Sequence, residues 1–484
     1  MYNYFTMETI EKIPPPLATE LWFTAKDEAG VQYLRECMGS GDLTKTVRLG
    51  NRSAETLDQK GGFEEGQFIT LKIKRLGEGF DAFEKRAVVR SSVAKKLGEV
   101  TDEDLDAVLL DGKTKEEIRL HLEQIYHREV TDDEIISLID FQYLERIENA
   151  SELIADKVLT PSLLARDNPK DLQFEDYVLP LIEHDYPAKT ATMWNATYQK
   201  FGLKTGNNML VGNPEYTREI LEVLKRDPKY LGGGAGVGFK DEVFKYLEEL
   251  DPLAKSIGSV NFILKTPEGK LCGYNTDGTG YAMSLEGIFK SKNEELAGKK
   301  ALMLGAGGTG NSIAFALAEK GMNVVILNRT VSKAEELAKR INAHFGKELA
   351  RSGNEEETEK EISDAAAIIN VSTKGASGAT EEYSALAPAI LPATPENILK
   401  NLERADQLFK KIPAGTVLSD IVLTNNGTPF LNAAKAAGFE TLDGIPMVVN
   451  QGVEAFWILH KEELIQKGIS KEDVAAIMKE AAYK

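Results

Sequence analysis

Six residues in the middle of the chain, Gly305-Ala306-Gly307-Gly308-Thr309-Gly310, have the spacing that holds a phosphate. In such a G-x-G-x-x-G turn, Gly305 permits the tight turn and Gly307 lets backbone approach a pyrophosphate. Gly310 allows the next helix to pack closely. The pattern alone is a weak signal, but here Leu302-Met-Leu304 reads as a buried strand before it and Asn311 to Lys320 as a helix after it. The helix start offers free N–H groups and a positive dipole end to phosphates. The following strand, Asn323 to Leu327, runs into Asn328-Arg329-Thr330, with Lys333 four residues beyond the arginine. An NAD enzyme places an acid here for the ribose 2′-hydroxyl. Arg329 instead suits bidentate binding of a 2′-phosphate, so the expected cofactor is NADP.

From about residue 179 onward, strand and helix signals alternate, as in α/β architecture. Gly298 to Leu304 opens a second α/β block. Residues 376–413, with Pro388, Pro392 and Pro395 and a helical stretch Glu396 to Lys411, read as an insertion in it. The run Gly232 to Gly238 must be a loop or a site of close backbone approach. Residues 149–178 read as a helical connector, periodic from Ala150 to Val158 and broken at Pro161 and Asn168-Pro169. Ahead of it, Phe68 to Lys74 alternates like a half-buried strand, Asp102-Glu103-Asp104 leads into a helix, Thr114 to Tyr126 is a helix, and Ile135 to Tyr143 is a closing strand.

A chain of 484 residues implies two or three domains. Its formal net charge of -18 excludes general attraction to nucleic acid or anionic lipid, though not a local basic face. The chain has only two cysteines, Cys37 and Cys272, far apart in sequence, which is no disulfide framework and fits a reducing compartment. The five histidines show no zinc-ligand spacing, so no metal is expected. Met1 to Pro16 lacks the apolar core of a signal peptide, and no apolar run is long enough for a bilayer. A cytoplasmic protein without membrane contact is the plain expectation; the oligomeric state is open.

Further motifs in fixed order resemble the shikimate dehydrogenase family over about residues 180–482. They are Met193 to Leu203, Lys240 to Val243, Leu250 to Asn261, Gly273 to Gly280, Ile369 to Gly375, and Asp443 to Gln451. The resemblance implies a substrate-binding and catalytic α/β domain at 179–284 and an NADP-binding Rossmann domain at 285–445. It also implies C-terminal helices at 446–484 that return to the substrate domain. It assigns Lys240 and Asp277 as the catalytic pair. Hydride arriving at a ketone builds negative charge on oxygen, which a nearby ammonium stabilises and protonates while the carboxylate holds the ammonium in place. Asn261, Asn275 and Gln451 are then substrate-binding, and Val371, Ser372, Gly444 and Met447 join the cofactor site.

Several positions depart from the family pattern. A Ser-x-Ser pair for the substrate carboxylate aligns with Ala188-Lys189-Thr190, leaving Thr190, with Lys189 as an alternative partner. Asn-Val-Thr-x-Pro-x-Lys becomes Gly234 to Lys240, whose glycines imply a more mobile loop. Phe262 replaces a threonine, and Leu423 a tyrosine near the substrate. Hydride transfer on a cyclic hydroxy or keto acid is therefore a firmer expectation than shikimate itself. The insertion is either a lid or an outer decoration.

Residues 18–146 resemble the ASCH family of small PUA-like β-barrels, through Met38-Gly39, Thr44 to Arg48 and Phe63 to Ile69. The domain is taken as 1–148. Residues 33–96 hold thirteen Lys or Arg against nine Asp or Glu, a local positive balance that suits RNA or a nucleoside. Lys45, Thr46 and Glu65 are available for the nucleoside chemistry of some relatives. The functional expectation is an NADP-dependent shikimate dehydrogenase-like enzyme acting on shikimate, quinate or a similar acid. The alternative is a non-catalytic NADP sensor coupled to an RNA-binding domain.

Overall fold

The computed structural model describes residues 19–484 apart from 26, 50–61, 76–78, 106–113 and 425. Met1 to Pro16, and the residues following the short 3-10 turn Glu103–Leu105, lie outside the described residues. The chain divides into two compact units: Met1–Thr160 with Glu215–Pro228, and Pro161–Pro214 with Lys229–Lys484.

The first unit is built on a five-stranded sheet in the order Glu20–Ala25, Phe68–Arg75, Gly79–Lys96, Ile135–Tyr143, Lys45–Leu49. The first pair is parallel and the others antiparallel. In Phe68–Arg75, Ile69, Leu71 and Ile73 face a core shared with Val31, Leu34 and Met38 of helix Glu28–Ser40. Helix Lys115–Tyr126 opens on a capping box between Thr114 and Glu117 and buries Ile118 and Leu122 against Val47 and Leu138. A closed barrel was the expectation. Among the described residues the sheet is open, ending at Glu20–Ala25 on one side and Lys45–Leu49 on the other. Helix Thr217–Arg226 belongs to this unit although it comes later in sequence. Arg226 donates to the carbonyls of Leu144 and Ile147 at 2.9 Å, and Asp227 accepts from Ala150 N at 2.7 Å.

The expected helical connector is mostly not helical. Helix Ala150–Ala155 is followed by short strands Leu159–Pro161 and Asp176–Val178. Prolines 161 and 169 break helical hydrogen bonding, and Lys157 and Asp167 hold positive φ of 57° and 58°.

The second unit holds two six-stranded sheets. One is mixed, in the order Glu249–Leu250, Leu271–Tyr274, Phe262–Lys265, Tyr230–Gly234, Asp176–Val178, Thr205–Asn207. The other is wholly parallel, in the order Ala350–Gly353, Asn323–Leu327, Lys300–Leu304, Ala367–Asn370, Val417–Asp420, Glu440–Leu442. Numbered along the chain, that is the doubly wound order 3-2-1-4-5-6, with its switch point between the first and fourth strands. Helices cover both faces, so its strands read as continuous apolar runs such as Ala301 to Leu304.

The insertion 376–413 is neither a lid nor a decoration. Its helix Pro395–Phe409 buries Ala405, Leu408 and Phe409 against Leu302, Ile368 and Leu418, making it the crossover between the fourth and fifth parallel strands. The last two helices, Ile445–Gln466 and Lys471–Ala482, pack Phe456, Val474 and Met478 onto Met193, Trp194 and Tyr198 of helix Thr190–Phe201. Among the described residues no helix is long and apolar enough to cross a membrane.

Candidate functional site

Two helix starts bring a lysine and an aspartate together. Strand Tyr230–Gly234 leads through residues 235–239 to helix Lys240–Tyr246, and strand Leu271–Tyr274 leads to helix Asp277–Ser291. Lys240 Nζ donates to Asp277 Oδ2. The other carboxylate oxygen accepts from Asn261 Nδ2 at 2.8 Å. Asn261 is itself fixed, since its Oδ1 accepts from Thr276 N at 2.8 Å and its Nδ2 lies 3.3 Å from Gln451 Oε1. The Asp277 side chain is 8% exposed and that of Lys240 27%, so the carboxylate is enclosed while the ammonium reaches open space.

That space is a cavity of 140 Å³, the size of a single-ring metabolite. Lys240, Asp277, Asn261, Gln451 and Thr190 line it, as five of the substrate-site and catalytic expectations require. Lys189 and Asn275 do not. Lys189 Nζ is drawn away to the carbonyl of Ala482 at 2.5 Å. Asn275 turns inward, donating to Ser259 O at 3.0 Å and accepting from Asp277 N at 3.3 Å, so it shapes the start of the aspartate's helix. Tyr186, Asn207, Trp194 and Met209 line the cavity without having been singled out. Trp194 lay inside the Met193 to Leu203 motif, and Tyr186 carried a signal as an aromatic hydroxyl two residues before the lost serine at 188.

The glycine run before Lys240 serves close approach rather than mobility. A Cβ on Gly232 would meet Ile263 O at 2.2 Å, one on Gly233 would meet Leu179 O at 2.2 Å, and one on Gly236 would meet Ile182 Cγ2 at 2.6 Å. Gly236 N donates to Leu181 O at 2.8 Å, and Val237 O accepts from Glu183 N at 3.0 Å. The segment is laid tightly on residues 181–183.

At the C-terminal edge of the parallel sheet, Lys300–Leu304 turns through Gly305 into helix Gly308–Glu319. Gly305 has φ 123°, and a Cβ there would sit 3.0 Å from Ser372 N. A Cβ on Gly310 would meet Val371 Cγ2 at 2.9 Å, whereas Gly308 faces open space and Gly307 nearly so. Two glycines are thus demanded by packing against Val371 and Ser372, and two leave the helix N-terminus bare for a ligand. Ala306 and Thr309 complete the turn.

Arg329 and Thr330 are exposed beyond the second strand, and Asn328 Nδ2 donates to Thr330 O at 2.8 Å. Arg329 and Lys333 are both exposed, and Lys374 lies near enough for the Arg329 charge to act on it. Burial depresses the Lys374 ammonium pKa, Glu355 opposes that, and Arg329 adds to it. Gly444 precedes the long C-terminal helix, where a Cβ would strike Ile421 O at 2.7 Å, and Met447 lines the cavity wall. The residues expected to hold the cofactor therefore run from exposed Arg329 to Met447 in the wall of the cavity that Lys240 lines.

A doubly wound sheet with a glycine turn, joined to a mixed-sheet lobe that carries a Lys–Asp pair in a small cavity, has the architecture of a dinucleotide-dependent dehydrogenase. Residues 288–375 match the family model for shikimate / quinate 5-dehydrogenase, and residues 186–263 that for the shikimate dehydrogenase substrate binding domain. The shikimate dehydrogenase (NADP(+)) of Lysinibacillus sphaericus (strain C3-41) is 32% identical over 276 residues, 57% of this chain and 87% of that protein. The corresponding protein of Methanocaldococcus jannaschii is 33% identical over 296 residues, again 57% and 87%. A crystal structure of shikimate dehydrogenase in complex with NADP+ matches with a TM-score of 0.51 at 26% identity, over 67% of this chain and 97% of that one. The chain belongs to the shikimate dehydrogenase family.

Proposed function

We propose that this protein is an NADP-dependent oxidoreductase that moves hydride reversibly between the cofactor and a cyclic hydroxy or keto acid, such as shikimate and 3-dehydroshikimate, or quinate. The reading rests above all on the Lys240–Asp277 pair, which faces a cavity of metabolite size in a family whose named relatives are NADP enzymes. The residues fit the dinucleotide: Gly307 and Gly308 leave backbone N–H groups uncovered, and Arg329 with Lys333 offers cations to a 2′-phosphate. NADPH, when bound, supplies the hydride. The chain's own part is to hold and move the proton. Lys240 Nζ stabilises the oxygen that becomes an alcohol and delivers a proton to it. Asp277 aims that ammonium, and Asn261 fixes Asp277 while Gln451 fixes Asn261. The test is turnover of shikimate and quinate with NADP by the full chain. Absence of turnover across a panel of cyclic hydroxy acids, with tight NADP binding retained, would favour a cofactor sensor instead.

For the first unit, we propose a nucleic-acid or nucleoside surface of ASCH type. Exposed Trp22 and Phe80 meet edge to face at 4.9 Å, with Lys74 Nζ 5.2 Å from the Trp22 ring and Lys72 Nζ 5.8 Å from the Phe80 ring. Aromatic faces beside cations suit bases and phosphates. Glu65 pairs with Lys157, and Thr46 accepts from Arg48, so both are already engaged. Gel-shift titration with single-stranded RNA should show binding that weakens on Trp22→Ala; binding unaffected by that change counts against the surface.

A further inference from the structure

Four positions where the family pattern supplies polar side chains carry none: Ala188 stands for a serine, Gly236 for the threonine of the lysine loop, Phe262 for a second threonine, and Leu423 for a tyrosine. An acid substrate nevertheless brings a carboxylate that needs donors. Lys189 is committed to the carbonyl of Ala482. Lys240 lines the cavity but is committed to Asp277. The anion must therefore be held by neutral groups, and a buried anion without donors is costly.

Tyr186 is in place to do this. It lines the cavity together with Thr190, Lys240 and Asp277. Its hydroxyl lies 3.5 Å from where a Cβ on Gly236 would be, in the space a threonine side chain would claim. Among the described residues that hydroxyl has no hydrogen-bond partner. The missing side chain at 236 has a second consequence. It lets the loop before Lys240 lie directly on Leu181 and Ile182, so the segment that carries Tyr186 is held against the site. Loss of one hydroxyl and arrival of another are thus parts of one packing arrangement.

We infer that the Tyr186 hydroxyl is a specificity-determining donor of this pocket, and that with Thr190 it binds the carboxylate of the acid whose hydroxyl faces Lys240. The inference rests on the proposed reading of the site as a hydroxy-acid pocket. Burial and, less strongly, the negative charge of Asp277 both raise the pKa of the phenol, which keeps it protonated and able to donate at neutral pH. A neutral donor beside Asp277 also avoids a second cation competing for that carboxylate, which leaves Asp277 to aim Lys240.

The experiment compares binding of shikimate and of its methyl ester to the full chain preloaded with NADP, for the parent and for Tyr186→Phe, with turnover measured beside it. The parent should prefer the acid, and Tyr186→Phe should weaken the acid ten- to a hundred-fold while weakening the ester far less. In turnover the loss should fall on KM more than on kcat, because the group binds an unreacting part of the substrate. Equal weakening of acid and ester, or no weakening, overturns the role of Tyr186 while the dehydrogenase reading stands on the parent's turnover. A parent that binds the acid selectively yet never oxidises it overturns the dehydrogenase reading and leaves the Tyr186 role standing. Failure of the parent to bind either probe removes both.

Discussion

The two lobes of the second unit use glycine for the same physical reason and with opposite consequences for recognition. At Gly305 and Gly310 the backbone comes so close to Val371 and Ser372 that no side chain fits. At Gly232, Gly233 and Gly236 it comes equally close to Ile263, Leu179 and Ile182. In the parallel-sheet lobe the proposed binding is by backbone N–H groups, so the glycine pattern and the proposed site coincide. In the mixed-sheet lobe the proposed binding is by side chains, and of these glycines only Gly236, which stands where the family pattern has a threonine, lines the cavity. A phosphate is read by a backbone that hardly varies, whereas an acid is read by side chains that do.

The largest effect should come from the one feature the lobes must share. Lys240→Ala should lower kcat by about a thousand-fold or more, in line with the worth of a positioned acid and electrostatic partner. NADP affinity, measured by fluorescence titration, should stay near the parent's. A Lys240→Ala enzyme that turns over at the parent's rate would remove the pair from the chemistry.

A matched pair of glycine substitutions tests the contrast itself. Gly305→Ala forces an L-residue to φ 123° and sets its Cβ 3.0 Å from Ser372 N, so NADP binding should weaken at least about tenfold and stability should fall by about 1–3 kcal/mol. Gly236→Ala sets its Cβ 2.6 Å from Ile182 Cγ2 and should raise KM for the acid with little change in NADP affinity. Equal effects of both changes on both ligands would mean that the lobes do not divide the labour. Arg329→Ala should be milder, raising KM for NADP about ten- to a hundred-fold and leaving KM for NAD unchanged.

The same contrast explains what could be read from sequence. The glycine turn, its strand and helix, and Arg329 in place of an acid were legible because local chain geometry and charge dictate them, whereas Lys240 with Asp277 was legible only through the family resemblance of their motifs. Asn275 lay in a motif yet turns inward to Ser259, and Lys189 looked available yet is held by a carbonyl some 290 residues later. Neither fate follows from local sequence, since the partners arrive only through tertiary packing. Tyr186 shows the reverse case. Its side chain reaches the cavity, and its hydroxyl lies 3.5 Å from where a Cβ on Gly236, fifty residues on, would be. The glycine run suggested either a loop or close backbone approach, and contact is what it serves. In residues 376–413 the helical stretch was legible, but nothing local shows that its apolar face, Ala405, Leu408 and Phe409, covers the sheet as a crossover.

A smaller effect separates the lobes by the sign of their response to acid. In the mixed-sheet lobe, burial of His460 beneath Tyr198 and Phe456 lowers the imidazole pKa to about 4 from an ordinary 6.5. The unfolded chain then binds a proton between those values that the folded chain refuses, so stability from this group is full above pH 6.5 and is lost as pH falls toward 4. In the parallel-sheet lobe, burial raises Asp420 to about 6 from 3.8, against the opposing hydrogen bonds of Thr428, Asn370 and Val422. Here the folded chain holds the proton the unfolded one releases, so the contribution is full below pH 3.8 and is lost as pH rises through 6. Each amounts to about 3 kcal/mol across its window, and over most of the shared range they oppose one another. Urea unfolding between pH 4 and 7 should expose them as differences from the parent. His460→Gln should gain on the parent as pH falls, and Asp420→Asn should lose on it. If the two differences run in the same direction, the two buried groups do not sit in the environments that separate one lobe from the other.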